Sequence, residues 1–181
     1  MVVPALGACR CDKMGSETES MPAARPFERT IMSNEATVHA GSAGAAETAN
    51  IASYIDHTLL KPEASEADVL KVCAEAAEYK FKSVCVNPIW VKTVTKALKG
   101  SGVLTCSVVG FPLGATPTDV KSFEARGAVL DGADEVDMVI NIAAARANDK
   151  GALTDDIAGV AETVHAGGAT LKVIIETALL T

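Results

Sequence analysis

From about residue 51 to the end of the chain, apolar strand-like runs alternate with helix-like segments, and this alternation narrows the fold further than any other feature. The runs are Tyr54–Leu60, Ser83–Val86, Leu104–Val109, Glu135–Ile142 and Thr170–Ile175. Helical segments are expected between them. Ser65-Glu66-Ala67-Asp68 resembles a capping box opening a helix through Tyr79. Val69, Val72, Cys73, Ala76 and Ala77 share one face of that helix at a 3.6-residue period. Pro88 starts a second helix over Ile89–Leu98, a third runs from Thr118 or Asp119 to Leu130, and a fourth covers Asp155–His165 before Gly167-Gly168. Strands joined through helices pair in parallel, because a parallel connection must cross back over the sheet. An open doubly wound sheet and a closed barrel both satisfy that pattern, and periodicity does not separate them.

Composition matters at two points. The chain is 49% apolar and 22% charged, ordinary globular values, and no stretch approaches the ~18 consecutive apolar residues of a membrane span. A net charge of −7 and only 4% aromatic residues disfavour nucleic acid and anionic membranes as partners. Residues 1–50 are rich in Ala, Gly, Ser, Thr and Glu, have no sustained apolar period, and are expected to be a disordered extension. Its apolar start precedes Arg10 and it carries Glu17, Glu19, Glu28 and Glu35, which fits neither a secretory signal nor a transit peptide. Met14, Met21 and Met32 each offer a start, and the segment before Met32 is expected not to belong to the translated protein. Five cysteines, Cys9, Cys11, Cys73, Cys85 and Cys106, match no zinc spacing, so reduced thiols in a cytoplasmic protein are the expectation.

Buried parallel strands should be nearly continuous apolar runs, yet several of these carry polar residues. Asp56, His57 and Thr58 lie in the first, Asp137 in the fourth and Lys172 in the fifth. A charge in such a place must be paired or must line a solvated pocket. Asp137 is either a satisfied core carboxylate or a catalytic group. Lys172 is either paired with Asp137 or Glu176, or a pocket ammonium that polarises a carbonyl or forms an imine. Asp56, next to a strand end, is expected to be structural. No histidine or carboxylate cluster has metal-ligand spacing, and Gly110-Phe111-Pro112-Leu113-Gly114 is no phosphate loop but a rigid strand-to-helix turn.

Five stretches together resemble the deoxyribose-phosphate aldolase family. They are Tyr54-Ile55-Asp56-His57-Thr58-Leu59-Leu60-Lys61-Pro62, Val84-Cys85-Val86-Asn87-Pro88 and Val108-Val109-Gly110-Phe111-Pro112-Leu113-Gly114. The other two are Gly132-Ala133-Asp134-Glu135-Val136-Asp137-Met138-Val139-Ile140-Asn141-Ile142 and Leu171-Lys172-Val173-Ile174-Ile175-Glu176-Thr177. The resemblance implies a (β/α)8 barrel with its site at the carboxyl ends of the strands. It implies reversible cleavage of 2-deoxy-D-ribose 5-phosphate to acetaldehyde and D-glyceraldehyde 3-phosphate through a lysine Schiff base, with no metal or organic cofactor. By position, Asp137 matches the family's proton-transferring aspartate, and Lys172 its fifth-strand lysine, which assists without forming the imine. Thr58 and Cys85 match residues lining the substrate pocket.

The family's imine lysine lies on a sixth strand in a Lys-Thr-Ser-Thr-Gly-like motif that has no match here. Asp56 and Lys172 are 116 positions apart. Spread over four repeats that is about 29 residues each, so eight units need about 230 residues where about 130 follow Asn50. The expectation is therefore a partial barrel over 51–181, comprising about the first five units, C-terminally truncated and inactive alone. The alternative is a non-catalytic half-barrel that binds a partner or self-associates. A phosphorylated sugar is the implied small-molecule partner, and homo-oligomerisation is left open.

Overall fold

A computed structural model of the chain describes residues 50–180. The expected disordered extension and the candidate starts lie outside the described residues, apart from Asn50. Five strands form one sheet: β1 (Asp56–Leu59), β2 (Ser83–Val86), β3 (Leu104–Val109), β4 (Glu135–Val139) and β5 (Thr170–Ile174). Five α-helices connect them: α1 (Glu66–Tyr79), α2 (Val91–Ala97), α3 (Thr118–Leu130), α4 (Ile142–Arg146) and α5 (Lys150–Ala166). Every strand pair is parallel. Among the described residues no helix is long and apolar enough to cross a membrane.

Strand order decides between the two architectures. The strands lie in the order β1-β2-β3-β4-β5, with no reversal. A doubly wound sheet reverses its order at a switch point so that helices cover both faces; a barrel adds each strand to the same edge and keeps its helices outside. Here the apolar side chains that alternate to one face pack under helices. Val84 and Val86 meet Val69, Cys73 and Ala76 of α1 and Val94 of α2. Val109, Val136 and Met138 meet Ala125 and Ala128 of α3 and Val160 and Val164 of α5. The other face carries a smaller apolar group, Cys85, Cys106, Val108 and Leu60, and the charged residues. This is the single winding of a (β/α) barrel, five units in sequence.

Local chemistry accounts for most element ends. Ser65 caps α1 with a reciprocal capping box, its hydroxyl accepting from the Asp68 amide while the Asp68 carboxylate accepts from the Ser65 amide. Three expected boundaries are corrected. The first strand starts at Asp56 rather than Tyr54, because Ile51–Tyr54 is a 3-10 turn whose Ala52 amide donates to the Asn50 side chain. The fourth strand stops at Val139 rather than Ile142. Asn141 caps α4 by accepting from the Ala144 amide, a short helix that apolar periodicity does not signal. The next helix, α5, begins at Lys150 rather than Asp155 because Asp149 caps it, accepting from Ala152 at 3.0 Å.

A buried ion pair fixes the helix layer to the carboxyl end of β4. Lys121 of α3 is fully buried. Its Nζ donates to the Val139 carbonyl at 3.0 Å and to Asp156 Oδ2 of α5 at 2.7 Å. Asp156 also accepts from the Thr118 hydroxyl at 2.9 Å. The loop after β3 is held as a turn: the Gly110 amide donates to Glu124, and the Gly114 amide to the Gly110 carbonyl. Gly114 has φ +63°, and a Cβ there would collide with the Ile140 carbonyl, so both conformation and space require glycine.

Candidate active site

The inner face of the sheet follows from the two-residue strand period. Asp56 and Ser83 are register partners, as are Cys85 and Cys106, and Asp137 and Lys172. Glu135 precedes Asp137 by two and therefore shares its face. Lys172 collects these groups. Its Nζ lies 2.6 Å from Asp56 Oδ2, 3.0 Å from Glu135 Oε2 and 3.3 Å from Asp137 Oδ1. Of these three contacts only that to Asp56 has hydrogen-bond geometry; Glu135 Oε2 and Asp137 Oδ1 face the ammonium as ion-pair partners without a hydrogen bond. Asp56 is held further by the Ser83 hydroxyl at 2.7 Å, and Glu135 by Lys82 at 3.7 Å.

The protonation states follow from these neighbours. Burial works to depress the Lys172 pKa, but the Asp56 hydrogen bond and the adjacent Glu135 and Asp137 carboxylates raise it well above the ordinary lysine value. Lys172 is thus held as an ammonium. Burial also pushes the Asp56 carboxyl up, but the hydrogen bonds from Lys172 and Ser83 outweigh it and leave the pKa below the usual value. For Asp137 the balance reverses: burial dominates over attraction to Lys172, and its pKa is raised. Two carboxylates on one lysine are therefore shifted in opposite directions, the pattern by which one site holds a fixed charge and an exchangeable proton side by side.

The expected site residues are placed as follows. Asp137 and Lys172 meet directly. Lys172 pairs with Asp137 as one reading anticipated, and among the described ion pairs it makes none with Glu176, which lies beyond the end of β5 in a left-handed conformation. Asp56, expected to be structural, is the nearest partner of Lys172. Cys85 is buried on the inner face beside Cys106. Thr58 is exposed, its hydroxyl donating to the Asp56 carbonyl at 2.9 Å. His57 takes no part: it faces the helices, 2.8 Å from Glu75 and edge-on to Phe81. Glu135 is the member that sequence reasoning missed. Its signal was present, since a second carboxylate two residues before Asp137 must share its face.

Comparison with known proteins agrees with this architecture. The sequence model of the DeoC/LacD family of aldolases matches residues 50–181. The deoxyribose-phosphate aldolase of Micrococcus luteus is 58% identical over 139 residues, covering 74% of this chain and 61% of its own. That of Bacillus subtilis is 56% identical over 132 residues, covering 73% of this chain and 59% of its own. The tetrameric deoxyribose-phosphate aldolase of Aeropyrum pernix superposes with a TM-score of 0.65 at 36% identity, covering 71% of this chain and 53% of that one. The chain thus spans about three-fifths of the length of the curated relatives it matches. On the family match across 50–181 and the identity of these relatives, the chain belongs to the DeoC/LacD family of aldolases.

Proposed function

We propose that this chain contributes part of the site for reversible cleavage of 2-deoxy-D-ribose 5-phosphate to D-glyceraldehyde 3-phosphate and acetaldehyde through a lysine Schiff base. The setting is deoxyribose phosphate catabolism in the cytoplasm. The observation that carries this reading is the Lys172 constellation. Imine formation needs a neutral amine, and an ammonium ringed by Asp56, Glu135 and Asp137 is not one. Lys172 therefore serves as a fixed positive charge. It orients Asp137 and would stabilise negative charge developing on a substrate oxygen. Asp137, with its raised pKa, is the group that takes and returns a proton as the imine forms and breaks. Thr58 and Cys85 line the substrate pocket.

In this reading the imine lysine belongs to the two-fifths of the family fold that the chain does not span, and the 181-residue chain alone does not cleave the sugar. Self-association, as in the tetrameric Aeropyrum pernix protein, is part of the same proposal. A non-catalytic half-barrel has no use for an inner-face charge cluster whose desolvation is costly.

A chimera tests the proposal: residues 50–181 replace the equivalent segment of the Micrococcus luteus aldolase, and cleavage of 2-deoxy-D-ribose 5-phosphate is followed. The chimera is expected to be active, and Asp137→Asn within it to lose at least ~100-fold in kcat, the usual scale of a lost proton-transfer group. A folded but inactive chimera would overturn the reading.

A further inference from the structure

The aldolase reading uses Asp137 and Cys85 singly, but it does not account for the thiol pair that faces Asp137 on the inner face. Cys85 of β2 and Cys106 of β3 are register partners on adjacent parallel strands, both buried and both free thiols. Asp137 of β4 completes a triangle with them: the two Sγ atoms and a carboxylate oxygen all lie within 4.8 Å of one another. In a tetrahedral site with metal–sulfur bonds of about 2.3 Å, two coordinating sulfurs sit about 3.8 Å apart. The three groups are thus already gathered to within a side-chain adjustment of that geometry, on rigid strands rather than on a loop. No linear spacing announced them, because each comes from a different strand.

We infer that Cys85, Cys106 and Asp137 form a binding site for a thiophilic divalent ion of the zinc and cadmium class, with water as the fourth ligand. The donor set selects the ion: two thiols and one carboxylate suit a soft d10 metal and not magnesium or calcium, which take oxygen ligands. The charge around it agrees. Asp56, Glu135 and Asp137 face the site against Lys172, with Lys82 beyond Glu135, so a dication enters a region where carboxylates outnumber the adjacent ammonium. On binding, two S–H bonds give way to two metal–sulfur bonds, two protons pass to solvent, and no electron is transferred. The ion takes Asp137 from its pairing with Lys172, so a metal-loaded site and a proton-transferring Asp137 exclude each other. The site shares Asp137 and Cys85 with the aldolase proposal but rests on its own geometry, and metal binding is read without reference to activity.

Cadmium titration of the 181-residue chain tests it, in a Cys9→Ser/Cys11→Ser background that removes the thiols outside the described residues. Cadmium–thiolate charge-transfer absorption is expected to saturate at one ion per chain. Cys85→Ser and Cys106→Ser should each abolish the saturating band, Asp137→Asn should weaken binding at least tenfold while keeping the band, and Cys73→Ser should leave it unchanged. A second measurement needs no core substitution: cadmium should protect Cys85 and Cys106, and not Cys73, from alkylation by iodoacetamide, read by peptide mass spectrometry. A band that survives both core serine variants, no band at saturating cadmium, or equal alkylation of all three cysteines with and without the metal would overturn the inference.

Discussion

Replacing Lys172 with methionine isolates the electrostatics of the inner face. The substitution keeps the unbranched stem and removes the ammonium from among Asp56, Glu135 and Asp137. Removing one partner of a fully buried ion pair costs about 3–5 kcal/mol, most of it from the stranded charge. Here the cost is smaller for two reasons visible in the geometry. The Lys172 and Asp56 side chains are 35% and 31% exposed, so water screens part of the interaction. Glu135, although only 9% exposed, keeps Lys82 at 3.7 Å. A loss of about 2 kcal/mol at pH 7.5 is expected, below the buried-pair range by the solvent share.

The pH dependence carries the proof. Asp56 has a lowered pKa when folded, so its contribution is present above its unfolded pKa and lost as pH falls through the folded value. Asp137 has a raised pKa, so its contribution is full below its unfolded value and lost as pH rises through the folded one. Lys172 stays charged throughout the neutral range because its own pKa is raised. In Lys172→Met, Asp56 and Asp137 lose their counter-charge and protonate more readily. The deficit should therefore shrink as pH falls from 7.5 toward the carboxylate range. Urea unfolding followed by circular dichroism at pH 7.5 and at pH 5 measures it, with Lys172→Arg as a charge-preserving comparison. A deficit of the same size at both pH values would refute the electrostatic reasoning and assign the loss to packing.

Incubation of the chain with acetaldehyde and borohydride should leave Lys172 unmodified by peptide mass spectrometry, since an ammonium does not attack a carbonyl; an ethyl adduct on Lys172 would make it an imine former. Lys121→Met should destabilise by about 3–5 kcal/mol, because Lys121 is fully buried and its loss strands Asp156 beside Thr118 alone; denaturant midpoints decide, and a loss below about 1 kcal/mol would refute the cost assigned to the stranded carboxylate. Gly114→Ala should cost at least ~1–3 kcal/mol from its positive φ alone, with the collision against the Ile140 carbonyl added, and a thermal shift below that range would show that the loop after β3 relaxes freely.

The amino-acid sequence by itself determined the elements and their order. Ser83–Val86, Leu104–Val109 and the Ser65-capped helix to Tyr79 are set by local chemistry: β-branched and apolar runs interrupted only by small hydroxyl residues, a 3.6-residue period and a capping box. It also singled out Asp137 and Lys172, because charges inside apolar strands are conspicuous. It left β4 and α5 misjudged at Asn141 and Asp149, where one side chain accepting an amide hydrogen ends or starts an element without any change in hydropathy. Only the tertiary structure decided that the strands wind in one direction, since strand order is a property of edges meeting in space. Only it could bring Lys172 to Asp56, 116 positions away and nearer than its own register partner Asp137. Hydrophobic periodicity reports which face a residue takes; which neighbour it finds there depends on a flexible side chain reaching across strands that sequence distance does not relate.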